Sequence, residues 1–317
     1  MLGGLVLNSG AEASLQRTGF AANNETTLQN TAEGKILSKD FEFRIANGAL
    51  ELLLQEQLDN HTNKDASHPA WISKLLTHIL AKLGDENLDN NPNALQKVHE
   101  LCVADRQFIL LQWRLNQSPD SEWLTAQCLQ CDAFYDFPMD WRALPIKSAA
   151  PQFPVVKVAV SFGSVDVRVP NGGDQEFIAR WLMEASIDNK IQKSPEDISL
   201  ALARRLIIAE TPKRAAEIGL LLTADDVNAI ELAVESIAPE LADRITLECP
   251  ECGSTHEVIL DLYRSLLKPV NHLLDDVHHL AVNYHWSETE ILAMPNQRRL
   301  AYLQRLEKEK GFAGAMP

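Results

Sequence analysis

The chain has 317 residues, of which 45% are hydrophobic and 23% are charged, a composition typical of globular proteins. This length is enough for a sizeable core and predicts two or three packed subdomains. The formal net charge of −15 argues against a nucleic-acid partner, because phosphates require a basic surface.

The N-terminal residues predict neither a signal peptide nor a membrane span. Residues 1–7 form a short apolar run without a basic flank, and no apolar run in the chain approaches the roughly 18 residues that cross a bilayer. Residues 1–35 are rich in Asn, Thr, Ala, Gly and Ser, with little periodicity, which indicates that residues 1–40 form an arm that is flexible or becomes ordered on a partner. We therefore expect a cytoplasmic protein, whose reducing compartment keeps thiols free.

Helical periodicity dominates residues 41–120. Apolar residues recur at spacings near 3.6 around residues 50–58 and again over residues 71–83, and these stretches predict two amphipathic helices. A third helix is predicted over about residues 93–116, with Cys102 as a buried core residue.

Two short cysteine pairs are the strongest chemical signal in the chain. Cys128 and Cys131 form one Cys-x-x-Cys motif, and Cys249 and Cys252 form the other. Four thiols in two close pairs are the usual ligand set of one structural zinc ion, because each pair supplies two thiolates from one tight turn. Such a site has no open position for water or substrate, so the pattern predicts a scaffold and not a catalyst.

The residues around each cysteine pair predict a strand, a knuckle and a second strand. The first zinc knuckle covers residues 121–145 and the second covers residues 244–262. Gly253 can adopt the left-handed conformation that often follows the last cysteine, whereas the first knuckle has Asp132 there. Because the two pairs lie far apart in the chain, residues 150–243 are predicted to form an inserted subdomain.

Three other interpretations of the cysteines stay open at this point: two independent redox dithiols, a pair of disulfides, or thiols that are simply buried. Thioredoxin-type chemistry favours a Cys-x-x-Cys motif at the start of a helix in a βαβ unit. Neither pair has that setting, so we favour one shared zinc ion.

The inserted segment combines a β-hairpin with helices. Valines alternate over residues 156–169 on both sides of a Phe-Gly-Ser turn and predict the hairpin. The glycine-rich turn at residues 170–174 lacks the Lys-Ser/Thr of a phosphate loop, so Asp174 is interpreted as the cap of the next helix. Ser194, with the proline that follows it, predicts another helix start.

The C-terminal region, residues 263–317, is predicted to be helical. One long amphipathic helix ends near Tyr284, and Ser287 begins a capping box that starts the next helix. Aromatic residues at such a junction either fill a core or anchor a partner, since Trp and Tyr dominate binding hot spots. We predict Tyr284, His285 and Trp286 as partner-binding residues.

No catalytic constellation is visible in the sequence. Histidines are concentrated between His272 and His285, but only Asp275 and His279 have the spacing of a helical chelate, and no third ligand accompanies them. The chain also lacks HExxH and GxSxG motifs. We therefore expect a protein that is not an enzyme. Its predicted fold is α+β and mainly helical, with small β elements around a four-cysteine, zinc-ribbon-like site and one β-hairpin.

The order of several segments resembles proteins encoded beside the baseplate genes of contractile phage tails and extracellular contractile injection systems, which are similar to the baseplate hub assembly chaperone of T-even phages. The resemblance covers roughly residues 95–310, and the Tyr-His-Trp-Ser-Glu sequence at 284–288 is its most specific part. It rests on segments 104–110, 128–131, 167–174, 249–253 and 277–292, together with Pro295, Arg298 and Arg299.

This resemblance implies a non-enzymatic role in building the baseplate hub, with baseplate and hub proteins as partners. We favour a transient assembly factor over the alternative, a permanent subunit that is retained in the virion or injection particle. A baseplate-associated cell-wall hydrolase is less favoured, because it would need a cleft with paired carboxylates or an open metal site. A DNA-binding zinc-ribbon regulator is disfavoured by the net charge.

Overall fold

The computed structural model describes residues 41–53, 69–117, 121–187, 193–263 and 273–313. The predictions for the N-terminal arm, for residues 54–58 and for His272 lie outside these ranges. The predicted fold class is confirmed: the chain is α+β and mainly helical, with small antiparallel sheets.

The helices account for most of the described structure. The first of them, α1, includes residues 48–53. The others are α2 (Pro69–Ile79), α3 (Ala94–Glu100), α4 (Val103–Gln117), α5 (Gly172–Ile187), α6 (Pro195–Leu206), α7 (Pro212–Gly219), α8 (Ala224–Ile237), α9 (Leu273–Tyr284), α10 (Glu288–Ala293) and α11 (Asn296–Ala313).

The strands are short and pair antiparallel. Within the described ranges they form sheets in the orders β1-β2-β3, β4-β5, β10-β6, β7-β8-β9 and β11-β12. Their bounds are β1 (Phe41–Phe43), β2 (Leu80–Leu83), β3 (Glu86–Asn87), β4 (Ser121–Gln127), β5 (Phe134–Asp140), β6 (Ile146–Lys147), β7 (Val155–Val160), β8 (Gly163–Arg168), β9 (Ile207–Ile208), β10 (Glu240–Leu241), β11 (Arg244–Glu248) and β12 (Thr255–Ile259).

A first hydrophobic core joins the N-terminal helices to both knuckles. The apolar stripe of α2 is buried in it, with Leu76 and Ile79 fully inaccessible to solvent. The inner face of the β4-β5 hairpin packs against the same core, as do Cys128 and Cys249. The two cysteine pairs are therefore anchored to one continuous apolar cluster, which brings distant parts of the chain together.

A second core belongs to the inserted segment. The predicted hairpin is confirmed as β7 and β8, with valines at alternate positions facing inward, and β9 adds a third strand to its edge. Helices α5, α6 and α8 cover this sheet, with Ile230 fully buried. The predicted helix start at Ser194 is confirmed: α6 begins at Pro195, and the hydroxyl of the N-cap residue Ser194 accepts from the Asp197 N–H in a capping box.

A third cluster joins helices α9, α10 and α11 through Leu280, Ile291 and Leu306. Arg299 of α11 is almost fully buried and ties this cluster to α1, because its guanidinium contacts the Glu51 carboxylate. At Gly48 an added Cβ would lie 2.9 Å from Nη1 of Arg299, so the close approach of the two elements requires glycine.

Two predicted helices differ from the structure. The helix predicted over residues 71–83 ends at Ile79, because Leu80–Leu83 forms β2 and pairs with β1. The helix predicted over residues 93–116 is divided into α3 and α4 at Leu101 and Cys102. At this break Cys102 forms a β-bridge with Asn171, so a tertiary contact replaces helical hydrogen bonds. Cys102 is buried, as predicted.

Asp174 takes part in capping α5, but from inside its first turn, because the residue that precedes the helix is Asn171 and not Asp174 as predicted. Asn171 precedes α5, its side chain accepts from the Asp174 N–H at 3.2 Å, and the Asp174 carboxylate accepts from the Asn171 N–H at 3.0 Å. Asp174 also forms ion pairs with Arg168 and Arg205. Gly172 allows the close approach of buried Arg106, since a Cβ there would lie 2.0 Å from Nη1. The turn therefore has a structural role, because its residues form ion pairs and pack against buried Arg106.

Among the described residues, no helix combines the length and the apolar character that spanning a membrane requires.

Candidate metal centre

The first knuckle is a tight turn between β4 and β5. The backbone N–H of Cys128 donates to the Ala133 carbonyl at 2.9 Å, and the N–H of Asp132 donates to the Cys128 carbonyl at 3.0 Å. Asp132 has φ of +58°, the left-handed conformation that the turn needs and that aspartate adopts with some strain. This geometry points the side chains of Cys128 and Cys131 to one side.

The second knuckle, between β11 and β12, repeats the first one bond for bond. The N–H of Cys249 donates to the Ser254 carbonyl, and the N–H of Gly253 donates to the Cys249 carbonyl, both at 2.9 Å. Gly253 has φ of +69°, so the predicted left-handed glycine is confirmed. The strand, knuckle and strand order is also confirmed in both places.

The four thiols meet although Cys131 and Cys249 are 118 positions apart in the chain. The Sγ atoms of Cys128 and Cys252 are 3.7 Å apart, those of Cys131 and Cys249 are 3.8 Å apart, and all four lie within 4.8 Å of one another. A tetrahedral ion with metal–sulfur bonds of about 2.3 Å requires edges of about 3.8 Å. The four cysteines therefore form a group that can hold one metal ion.

The alternative roles of these cysteines fit the geometry less well. All five cysteines of the chain are free thiols, and the Sγ separations of 3.7 and 3.8 Å are far longer than a disulfide bond of about 2.05 Å. Both pairs lie between antiparallel strands instead of at the start of a helix, which is the setting of thioredoxin-type dithiols. Nor are the thiols merely buried, since Cys131 and Cys252 are exposed.

Ser254 contacts the sulfur atoms of both knuckles. Its Oγ lies 3.3 Å from Sγ of Cys128 and 3.1 Å from Sγ of Cys252. The Ser254 hydroxyl, with backbone N–H groups, lowers the pKa of the Cys128 thiol to about 5 and also lowers the pKa of Cys252. The lowered pKa favours the thiolate form of Cys128, which is the form that binds metal.

The pKa of Cys131 moves in the opposite direction. The Ala133 N–H lowers it, but the hydrogen bond with Cys252, partial desolvation of the sulfur and the hydrogen bonds with the other two thiols outweigh that effect and raise the pKa to about 12. The group of thiols thus shares protons when no cation compensates its charge. A bound cation removes the need for this sharing, because its positive charge deprotonates a coordinating thiol.

Tyr135 and His256 connect the two hairpins beside the cysteines. The Tyr135 hydroxyl lies 3.0 Å from Nε2 of His256, and the two rings meet edge to face at 5.9 Å. Burial, together with the negative charge of Cys249 and Cys128, raises the pKa of Tyr135. This contact packs β5 against β12 beside the cysteines and helps to orient the two hairpins. The sequence does not predict this pair, because nothing in the spacing of the two residues marks it.

The predicted partner-binding residues lie at the end of α9, where Tyr284 and Trp286 pack against the third cluster and not against the core that contains the cysteines. The rings of Tyr284 and Trp286 stack at 4.7 Å, and Tyr302 of α11 meets both edge to face. His285, between them, is exposed and has φ of +60°. Tyr284 and Trp286 therefore pack within this chain and are half-buried, while the imidazole of His285 faces solvent. Their role toward a partner stays a prediction.

The histidines of α9 form no second metal group in the parts of the chain that the structure describes, where the four cysteines are the one such cluster of three or more metal-binding side chains. Comparison of the chain with protein-family models, with curated proteins and with solved structures finds no match. The resemblance to baseplate proteins therefore continues to rest on the sequence segments alone.

Proposed function

We propose that this chain is a zinc-stabilised, non-enzymatic scaffold that acts through contacts with other proteins. The observation that carries the proposal is the set of four thiols, whose separations match the edges of a tetrahedron with every corner occupied by the protein. A closed tetrahedron leaves no position for a substrate or an activated water. Tetrahedral sulfur ligation is typical of zinc and of iron–sulfur centres, and two Cys-x-x-Cys knuckles between short strands favour zinc.

The more specific proposal is that the scaffold serves assembly of the baseplate hub in a contractile tail or injection system. Its support is the sequence resemblance, above all the Tyr-His-Trp-Ser-Glu segment at 284–288. An assembly factor must be a self-contained fold that is stable before it meets its partner, and three separate apolar clusters are consistent with that requirement. A permanent subunit is the alternative within the same proposal.

Metal analysis tests the scaffold proposal directly. Protein purified under reducing conditions should contain about one zinc per chain, and Cys249→Ser should remove it, because three thiolates no longer close the tetrahedron. Cys102→Ala is the matched control, since Cys102 is buried in another core and should leave the zinc content unchanged. Iron instead of zinc, two ions per chain, or no ion in the reduced wild type would contradict the shared zinc site.

Particle assembly tests the specific proposal. In a source organism that carries a contractile system, loss of this chain should abolish finished particles, and the chain should be missing from the particles that the wild type completes. Presence at fixed stoichiometry in finished particles would instead support the permanent subunit. Normal particle yield without the chain would overturn the baseplate role while leaving the zinc site intact.

A further inference from the structure

The first knuckle carries an unusual amount of exposed apolar surface. Trp123, Leu129 and Phe134 have relative accessibilities of 71%, 81% and 72%. The opposite face of the same hairpin is buried in the first core. Single exposed apolar residues are ordinary, but three large ones on one hairpin are typical of an interaction surface.

The strand register orders these side chains into rows. Trp123 pairs with Pro138, the next outward row is Thr125 with Asp136, and the row nearest the cysteines is Gln127 with Phe134. Strands rise about 3.4 Å per residue, so the Trp123 and Phe134 rows lie about 14 Å apart along the hairpin. A polar row centred on Asp136 therefore separates two apolar rows.

Apart from Tyr135 and the two cysteines, every ionisable residue on this hairpin is acidic. Between residues 121 and 140 the chain has four carboxylates and no Lys, Arg or His, and of the four Glu122 forms an ion pair with the largely buried Arg114. Asp136 is exposed, and its carboxylate accepts from the Thr125 hydroxyl at 2.7 Å, which fixes its orientation at the centre of the face. Four thiolates around one divalent cation add further negative charge at the knuckle. The surface is thus apolar and acidic at the same time.

We propose that this knuckle face, formed by Trp123, Thr125, Phe134 and Asp136, docks an extended segment of a partner protein that presents a basic residue between two apolar ones. In an extended segment, residues i and i+4 are about 14 Å apart, which matches the Trp123 and Phe134 rows, and residue i+2 faces Asp136. Arginine at i+2 pairs with the carboxylate and can also lie against an aromatic ring. A second copy of this chain is a poor occupant, because its net charge is −15.

This proposal deepens the proposed function, since it rests on a role in protein contacts and assigns the chemistry of the partner. It is independent of the C-terminal aromatic residues. It can therefore fail while the chain still supports particle assembly, and it can hold for a partner outside any baseplate.

Fluorescence anisotropy of labelled nonapeptides tests the docking face on full-length, zinc-loaded protein. The probes share one length and differ in the central sequence: Phe-Thr-Arg-Thr-Phe, Phe-Thr-Glu-Thr-Phe and Ser-Thr-Arg-Thr-Ser. We expect the first peptide to bind at least about tenfold more tightly than either of the others. Only this peptide has an aromatic residue for each apolar row and a basic residue for the Asp136 carboxylate. Its affinity should fall as salt rises.

Variants locate the binding site. Trp123→Ala should lower the affinity for the first peptide about tenfold or more. Asp136→Asn should lower it about threefold and should also make it depend less on salt. Both side chains are exposed, so zinc content and circular dichroism should be unchanged; Phe134→Ser is a second variant of the same face. Matched controls are Leu220→Ala, at a leucine that is 73% exposed elsewhere, and Asp85→Asn, at an exposed turn.

Several outcomes would overturn the proposal. These are equal affinity for the arginine and glutamate peptides, no binding of the first peptide up to millimolar concentration, or equal effects of Trp123→Ala and Leu220→Ala. Sedimentation equilibrium provides one further test. A dimer of the wild type that Trp123→Ala converts to a monomer would make a second copy the occupant and would also reject a basic partner.

Discussion

Ser254 links the two halves of the metal centre through a single hydroxyl. Its Oγ contacts Sγ of Cys128 in one knuckle and Sγ of Cys252 in the other. Hydrogen bonds to ligating sulfurs orient them and stabilise the thiolate form, which makes metal binding less dependent on proton loss. The turn of the second knuckle is held by the backbone carbonyl of Ser254 and not by its side chain. The role of the hydroxyl is therefore confined to the sulfur atoms.

Removing this hydroxyl should lower the affinity of the site for metal without abolishing metal binding. We expect Ser254→Ala to keep about one zinc per chain but to lower zinc affinity about tenfold, as measured by competition with a chromophoric chelator. Ser254→Thr should restore most of the affinity because it returns the hydroxyl. Ser236→Ala is the control, since that hydroxyl bonds the Ala233 carbonyl of α8. Equal affinities of the wild type and Ser254→Ala would show that the hydroxyl has no role at the site.

At the scale of single residues, the features that could be predicted from the sequence are those that depend on neighbouring residues in the chain. The grouping of the four cysteines and the left-handed Gly253 follow from short motifs, and the structure contains both. Asp132 adopts the same conformation without being glycine, because the turn imposes it. The role of Asp174 could not be predicted, since it depends on Arg205, a residue in another helix. Contacts between residues distant in sequence leave no periodic signal.

The same distinction holds for whole elements. The hairpins at both knuckles and at β7-β8 were predicted, because each strand pairs with its neighbour in sequence. Strand β2 was predicted as the end of a helix, because its leucines continue the spacing of α2 and its partner β1 lies some forty residues earlier. Amphipathic periodicity cannot identify a strand that is specified by a distant partner.

The junction of α9 and α10 offers a test that separates packing from partner binding. Trp286 forms aromatic contacts with Tyr284 and Tyr302, each worth about 0.5–1.5 kcal/mol beyond area burial, so Trp286→Ala should lower the free energy of unfolding by about 2–3 kcal/mol. His285→Gly should instead raise stability by about 0.5–1 kcal/mol, because glycine adopts φ of +60° without strain. Urea unfolding of both variants measures the two effects.

The two variants then report on association. If the segment anchors a partner, His285→Gly should weaken capture of that partner while the fold is at least as stable as the wild type, since the lost imidazole is exposed. Trp286→Ala would lose capture together with stability. Unchanged capture by His285→Gly would remove His285 from the predicted partner-binding set and leave the aromatic pair with a packing role.

For the whole molecule, a metal ion held by the four cysteines would cross-link segments that are far apart in the chain. Such an ion would join two hairpins whose residues Cys131 and Cys249 are 118 positions apart, and the residues between them include the second core apart from Cys102. Closing a loop of about 100 residues with a covalent link removes on the order of 4.7 kcal/mol of chain entropy from the unfolded state. A metal clip acts in the same way. The inserted segment, however, has its own sheet, helices and apolar cluster.

Metal removal should therefore destabilise the two knuckle hairpins more than the inserted segment. With the zinc chelated under reducing conditions, hydrogen exchange should become faster in peptides from residues 121–140 and 244–260, because the four negatively charged or protonated thiols no longer hold the hairpins together. Peptides from residues 195–237, which include α6 and α8, should keep their protection, since their core contains none of the four cysteines. Cys249→Ser without chelator should give the same pattern, and chelator should add nothing to it. Loss of protection across both regions would instead mean that the inserted segment depends on the metal for folding, and that the chain behaves as one cooperative unit whose stability the zinc site controls.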